Sequence, residues 1–291
     1  MDQTVALVGT GRMGSALAAA LFNKGFATTV WNRSAAKTAP LAQLGLRVAP
    51  SVLDAVVQAG VIVVNINDYH ATQQLLSRAE IESALPGKTI VQLTTGTPDE
   101  AREMEAWARP LDIAYLDGAI MSNPIDIGKP TGTVVYSGSE ELFRSIKPVL
   151  LAFGGNAMFV GKEIGCASAL DMAALAFATG AQFGFLQGYV VYEAENLPAE
   201  GYVPFIKNLM PVLEMMLTRL HGAIQSKDYD DTQASLDVWA PCPKELIKWC
   251  RKHGVDHSFV DPQLSLMEKA IQAGKGQADF AYLYEVLKGS N

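Results

Sequence analysis

Gly9, Gly11 and Gly14 stand in Gly-x-Gly-x-x-Gly spacing within Gly9-Thr10-Gly11-Arg12-Met13-Gly14-Ser15, immediately after the apolar run Val5 to Val8. Where a strand turns sharply into a helix against a pyrophosphate, side chains have no room. Gly9 is therefore expected to make the turn, Gly11 to admit the phosphates and Gly14 to seat the helix. The helix-forming stretch Ser15 to Phe22 that follows supplies the context such a loop needs. The next apolar run, Thr28 to Trp31, ends in Asn32, Arg33 and Ser34, with Lys37 close behind. An acid at this point would accept from a ribose hydroxyl, whereas cations and neutral donors suit a 2′-phosphate, so the pairing points to NADPH. Ser34 also suits the N-cap of a following helix, and the two roles are compatible.

Other polar residues fall after strand-type runs. Gln92, Thr94 and Thr95 follow Thr89 to Gln92 and are expected to flank the nicotinamide ribose or amide. Ordinary loop capping before Pro98 is the plain alternative. Asn65 and Asn67, after Val61 to Val64, have the same standing. Asp171, in Gly165-Cys-Ala-Ser-Ala-Leu-Asp171-Met, begins an otherwise apolar helix. Two readings are open for it: an acid favoured by the helix dipole, or a catalytic acid or counter-ion. Cys242, Cys250, His253 and His257 lack CxxC or HExxH spacing, so no metal is expected.

The elements that must position these residues alternate. Strand-type runs at 5–8, 28–31, 61–66 and 89–92 are separated by helical stretches such as 51–58 and 98–108, which implies βαβ units and a parallel sheet. Candidates at 113–116, 133–136 and 157–160 extend it, with a helix over 140–151. After Gly161 the strands vanish, and helices are expected around 202–225, 229–240, 243–253 and 263–273. The division is thus a dinucleotide-binding domain, 1–162, of Rossmann-type doubly wound α/β architecture. A long interdomain helix then opens an all-helical domain, 163–291. Ligands of open α/β sheets lie at the strands' carboxyl ends, so the first turns of the long helix should face the nicotinamide.

The 291 residues are 49% hydrophobic, enough for two cores, or for one core and a large interface. A net charge of −7 without a basic cluster argues against a nucleic-acid partner. Three cysteines without a CxxC, and a start without basic n-region or cleavage site, lead to the expectation of a reduced, cytoplasmic chain. Met172 to Tyr192 carries no formal charge and is long enough to cross a bilayer. Asp171, Glu193 and Glu195 flank it, and glutamines and glycines interrupt it, so a membrane span is rejected. A helix apolar all round is buried in protein, which makes a homodimer the expectation.

These residues resemble the imine reductases, relatives of the β-hydroxyacid dehydrogenases, along most of the chain. The resemblance is carried by GTGRMGS with WNRSAAK, by QLTTGTPDEAREMEAWA (92–108), by YLDGAIMSNPIDIGKP followed by VVYSGS (115–139), by GCASALD, and by the C-terminal AGKGQADFAYLYEVLK. It implies a C-terminal domain like that of 6-phosphogluconate dehydrogenase, a domain-swapped homodimer with the long helix at its centre, and an active site shared between subunits.

The hydroxyacid-dehydrogenase relatives carry a lysine where this chain has Asp171, and an asparagine one turn later where it has Leu175. Their Ser-Gly-Gly carboxylate grip corresponds here to Met121-Ser122-Asn123. Alcohol oxidation needs a base and a cation for the acid group, whereas C=N reduction benefits from an anion beside the iminium. The resemblance therefore implies hydride transfer from NADPH to an imine, with Asp171 as proton donor or electrostatic anchor. Rival expectations are a hydroxyacid or aldehyde reductase that has lost its lysine, and an NADPH-binding sensor without turnover. Many imine reductases have tyrosine at the position of Thr179, and reductive-aminating members often have asparagine at that of Gln92. Thr179 can donate a hydrogen bond but not act as an acid, and lies about 12 Å beyond Asp171 on a straight helix. Met121, Ser122 and Leu175 are expected at the substrate pocket. Met210, Leu213, Met216, Val238 and Trp239 are expected to line it from across the dimer, although helical spacing fits a plain core equally.

Overall fold

The structure is a computed structural model that describes residues 4–289. From the N-terminus, β1 (Val5–Val8) leads to α1 (Arg12–Asn23), β2 (Thr28–Trp31), α2 (Ala39–Gln43), β3 (Arg47–Val48), α3 (Val52–Val57) and β4 (Val61–Val64). Next come α4 (Tyr69–Leu76), α5 (Ala79–Glu82), β5 (Thr89–Gln92), α6 (Pro98–Ala108) and β6 (Ala114–Ile120). The sheet closes with β7 (Thr133–Gly138), α7 (Glu140–Ser145), α8 (Lys147–Leu150) and β8 (Asn156–Gly161). Strand order is β3-β2-β1-β4-β5-β6-β7-β8, the doubly wound arrangement the alternation called for.

The central strands read as unbroken apolar runs because helices cover both faces. Val5 and Leu7 of β1 enter one core with Leu17 and Leu21 of α1, while Ala6 and Val8 enter the other with Val52, Ala55 and Met104. Caps set several helix starts: Asp68 accepts from the Ala71 amide (2.6 Å), and Thr97 with Glu100 forms a capping box at α6.

One expectation needs correction. β7 runs antiparallel to β6, with Asp117 opposite Ser137, and β8 is parallel to β7. The segment between β6 and β7 holds only a short 3₁₀ turn at Pro124–Asp126, and a parallel neighbour requires a longer crossover. Prolines also break two expected helices, 35–44 and 140–151: Pro40 lies in the first turn of α2, after a separate 3₁₀ turn at Ala35–Lys37, and Pro148 in the first turn of α8, apart from α7.

After β8 come α9 (Cys166–Ala194), α10 (Ala199–Ser226), α11 (Leu236–Trp239), α12 (Pro241–His253), α13 (Asp261–Ala270) and α14 (Leu283–Lys288). Contacts divide the chain into 1–177 and 178–291, inside α9 rather than before it. The reason is local: Ala167, Ser168 and Asp171 of α9 are buried, with Ala167 packed on Ala119 and Val135 of the sheet. In the second unit Tyr202 packs against Phe185, Tyr189 and Tyr192 and donates to the Phe185 carbonyl (3.0 Å). A separate core joins Leu236, Ala240, Met267, Ala270 and Leu283. The expected helix over 229–240 is reduced to α11. Lys227 ends α10 in a left-handed conformation, and the Asp228 carboxylate then accepts from the Asp230 amide, favouring turn over helix.

Candidate active site

The sheet register draws a line across the molecule. Trp31, Val8, Val64, Gln92 and Asp117 are consecutive partners on β2, β1, β4, β5 and β6, and the antiparallel pair continues the line to Ser137. Asn32, Gly9, Asn65 and Leu93 each stand one residue beyond it, at the carboxyl edge where such sheets bind ligands. From β1 to β6 is three strand spacings, about 14 Å.

At the β1 end, Gly9 has φ +99° and lies so close to the Asn65 backbone that a Cβ has no space. A Cβ on Gly14 would overlap the Gly9 carbonyl, whereas one on Gly11 would meet nothing within 4 Å. The loop is therefore closed on its protein side and open where phosphates are expected. Thr10 is buried with its Oγ1 unpartnered, which suits a bound group at this loop. Arg12 is exposed, and Met13 packs on the core beside α1. Asn32 is a brace: its Oδ1 accepts from the Thr10 amide (3.0 Å) and its Nδ2 donates to the Ser34 carbonyl (3.0 Å). Arg33, Ser34 and Lys37 are exposed beside it, and among the described residues neither cation enters an ion pair. Asn65 donates to the Leu93 carbonyl (2.6 Å), and Thr94 accepts from the Ile66 amide (3.2 Å), so both tie β4 to β5. Asn67 and Thr95 are exposed.

Gln92 is fully enclosed and donates to Thr72 Oγ1 on α4 (3.1 Å), leaving its own Oε1 without a partner. Its register partner Asp117 is also fully buried. Tyr69 of α4 donates to Asp117 Oδ1, and Ser168 of α9 donates to Asp117 Oδ2 (2.7 Å). Burial lifts the Asp117 carboxyl to about 6, against the pull of hydrogen bonds from Tyr69, Ser168 and the Ser168 and Gly118 amides. Burial and the adjacent Asp117 together push the Tyr69 phenol far up, so it remains the donor. Tyr115, two residues before Asp117, is buried beside them, and burial together with the neighbouring Tyr69 and Asp117 pushes its phenol well up. None of Tyr69, Asp117 and Ser168 was expected at the site. One signal for Asp117 was available: an acid in the middle of the otherwise apolar strand Ala114–Ile120 needs partners.

The Asp117 shift carries a stability consequence. Its folded value lies above the ordinary 3.8, so the folded state holds this proton where the unfolded chain has released it. The contribution is complete below about 3.8 and fades as pH rises through about 6. In denaturant titrations, wild-type stability relative to Asp117→Asn is expected to drop by roughly 2 kcal/mol between pH 4 and pH 7.

On α9, Asp171 is 7% exposed, and burial raises its carboxyl above the usual carboxylate range. Among the described residues no ion pair involves it. Met121 packs against the same small cluster as Ala167. The Ser122 hydroxyl accepts from the Thr133 amide (2.8 Å), closing the β6–β7 connection. Leu175 and Thr179 are exposed further along α9, as are Met210 and Leu213 on α10 and Val238 on α11. Met216 is half-buried, and Trp239 packs edge-on against Phe280. Cys250 is buried, Cys242 exposed, His253 stacks on Trp249, and His257 bonds Asp261 (2.9 Å).

A doubly wound sheet with a glycine loop fitted to a dinucleotide, followed by a long helix and a helical unit, defines a nicotinamide-dependent oxidoreductase. Residues 4–161 match the NAD binding domain of 6-phosphogluconate dehydrogenase, and 163–289 match the NADPH-dependent reductive aminase-like C-terminal domain. The chain belongs to the imine reductase and reductive aminase family. It is 30% identical to an NADPH-dependent reductive aminase of Aspergillus oryzae over 99% of this chain and 98% of that one. An imine reductase from Myxococcus stipitatus in complex with NADP+ superposes with a TM-score of 0.92 at 41% identity, covering 98% of this chain and 99% of the other. A reductive aminase from Aspergillus terreus in complex with NADPH4, cyclohexanone and allyl amine superposes with a TM-score of 0.91 at 28% identity, covering 99% and 100%.

Proposed function

We propose that this oxidoreductase reduces imines or iminium ions to amines with NADPH, using Asp171 at the substrate nitrogen. The observation that carries the reading is Asp171 itself, a nearly enclosed carboxylate in the second turn of α9 that no cation among the described residues pairs with. Bound NADPH supplies the hydride that reaches the imine carbon. In this reading Gly9, Gly11, Gly14 and Thr10 would hold the pyrophosphate, and Arg33, Ser34 and Lys37 the 2′-phosphate. Asp171 either gives its proton to the nitrogen as the amine forms, or stays ionised and holds the iminium by charge. Residues 1–162 would then carry the cofactor, and 163–291 dimerisation and the substrate pocket. The test follows NADPH absorbance with a small cyclic imine, and in a second arm with cyclohexanone plus allyl amine, the carbonyl and amine bound by the Aspergillus terreus relative. Loss of absorbance with the imine is expected. Stoichiometric NADPH binding without oxidation, or turnover of carbonyls alone, overturns the reading.

The helix Cys166–Ala194 is long and apolar enough to cross a membrane, yet only 6% of its most apolar window is buried within one chain. Phe177 (60% exposed), Leu186 (59%) and, on α10, Phe205 (54%) need cover. We assign that cover to a second copy, with α9 and α10 as the interface, in a cytoplasmic homodimer and not a membrane protein. Light scattering at micromolar concentration is expected to give twice 31.2 kDa, and a monomer there removes the assignment.

A further inference from the structure

We infer that Asp117, held by Tyr69 and Ser168, is a positioning residue that sets the depth and rotation of α9 and so presents Asp171 to the substrate. The inference rests on the reading that Asp171 acts at the substrate nitrogen.

The first turn of a helix leaves four amides without intrahelical partners, and α9 begins at Cys166. Two neighbouring strands supply acceptors for it. Ser137 of β7 accepts from the Ala167 amide (2.9 Å) and donates to the Ile164 carbonyl (2.6 Å). Asp117, directly opposite Ser137 on β6, takes the Ser168 hydroxyl at 2.7 Å, and the Ser168 amide also reaches its carboxylate. A carboxylate at the positive end of a 29-residue helix is favourably placed. Its other oxygen is held by Tyr69, whose hydroxyl also lies 3.4 Å from Ser168 Oγ. Gly96 allows Tyr69 this close approach, because a Cβ there would strike the tyrosine ring.

Ser168 and Asp171 are three residues apart, on one side of α9. The hydrogen bond that sets the angular position of Ser168 therefore sets that of Asp171. All four side chains are buried, so the linkage is held away from competing water. The chemistry needs this, since an error of about 1 Å in a reacting group costs as much as 100-fold in rate.

The test is a double-mutant cycle on the full-length protein with NADPH and a small cyclic imine. Tyr69→Phe and Ser168→Ala are each expected to lower kcat about tenfold while the KM for NADPH changes less than about twofold, and Ser168→Thr, which keeps the hydroxyl, to recover most of the loss. NADPH binding by fluorescence confirms that each variant is folded. In the Asp171→Asn background the same two replacements are expected to change kcat less than about twofold, because the group they position is already gone. Equal losses in both backgrounds, or no loss in the wild-type background, overturn the inference. If Asp171→Asn alone keeps full turnover, the reading of Asp171 has failed and the positioning role falls with it. An impaired Asp171→Asn combined with equal losses removes the positioning role only.

Discussion

Gly14→Ala is expected to weaken NADPH binding roughly 10- to 100-fold and to lower Tm as well. The added methyl would overlap the Gly9 carbonyl, a backbone atom that cannot rotate away. Gly9 is held in turn, with φ +99° and no space on the side of the Asn65 backbone. Relief therefore requires moving α1 away from β1, and overpacking of this kind costs 1–3 kcal/mol or more, which the binding loop and the fold both feel. Gly11→Ala is the informative contrast. Its methyl meets no protein atom within 4 Å, so the fold is expected to keep its wild-type Tm while NADPH binding falls. Calorimetric titration beside thermal unfolding reads both variants. Normal binding by Gly11→Ala would mean that the pyrophosphate does not lie against this loop.

Asp171→Asn is expected to cut turnover of a cyclic imine about tenfold or more with NADPH affinity unchanged, since the amide keeps the shape and removes the charge and the acidic proton. The pH dependence of wild-type kcat separates the two roles. Burial raises this carboxyl, so its change of charge lies above the usual carboxylate range. A proton donor must be protonated, and kcat then falls as pH rises through the raised value. An electrostatic anchor must be ionised, and kcat then falls as pH drops through it. Near wild-type turnover by Asp171→Asn would take the residue out of the reaction.

The local chemistry was largely legible. Gly9 and Gly14 were readable because a tight strand-to-helix turn restricts its own residues, and the structure leaves no space for a Cβ at either. Apolar period and punctuation likewise gave β1, β2, β4 and β5 at their observed bounds or within two residues. The antiparallel turn of β7 was missed because nothing local in Thr133 to Tyr136 records which way the chain returns. The role of Asn32 as a brace was equally hidden, since its partner Thr10 lies 22 residues away.

What the sequence by itself determined is the set of groups within a turn or two of one another: a glycine loop, a cationic turn after β2, an acid at the head of an apolar helix. Tertiary structure alone decided which distant groups share a buried space. It brought Tyr69 and Ser168 onto the Asp117 carboxylate and enclosed Gln92 against Thr72. The physical reason is that spacing along the chain constrains neighbours through backbone geometry. A buried hydrogen bond between residues 51 positions apart depends instead on how strands and helices pack, which no short stretch of residues encodes.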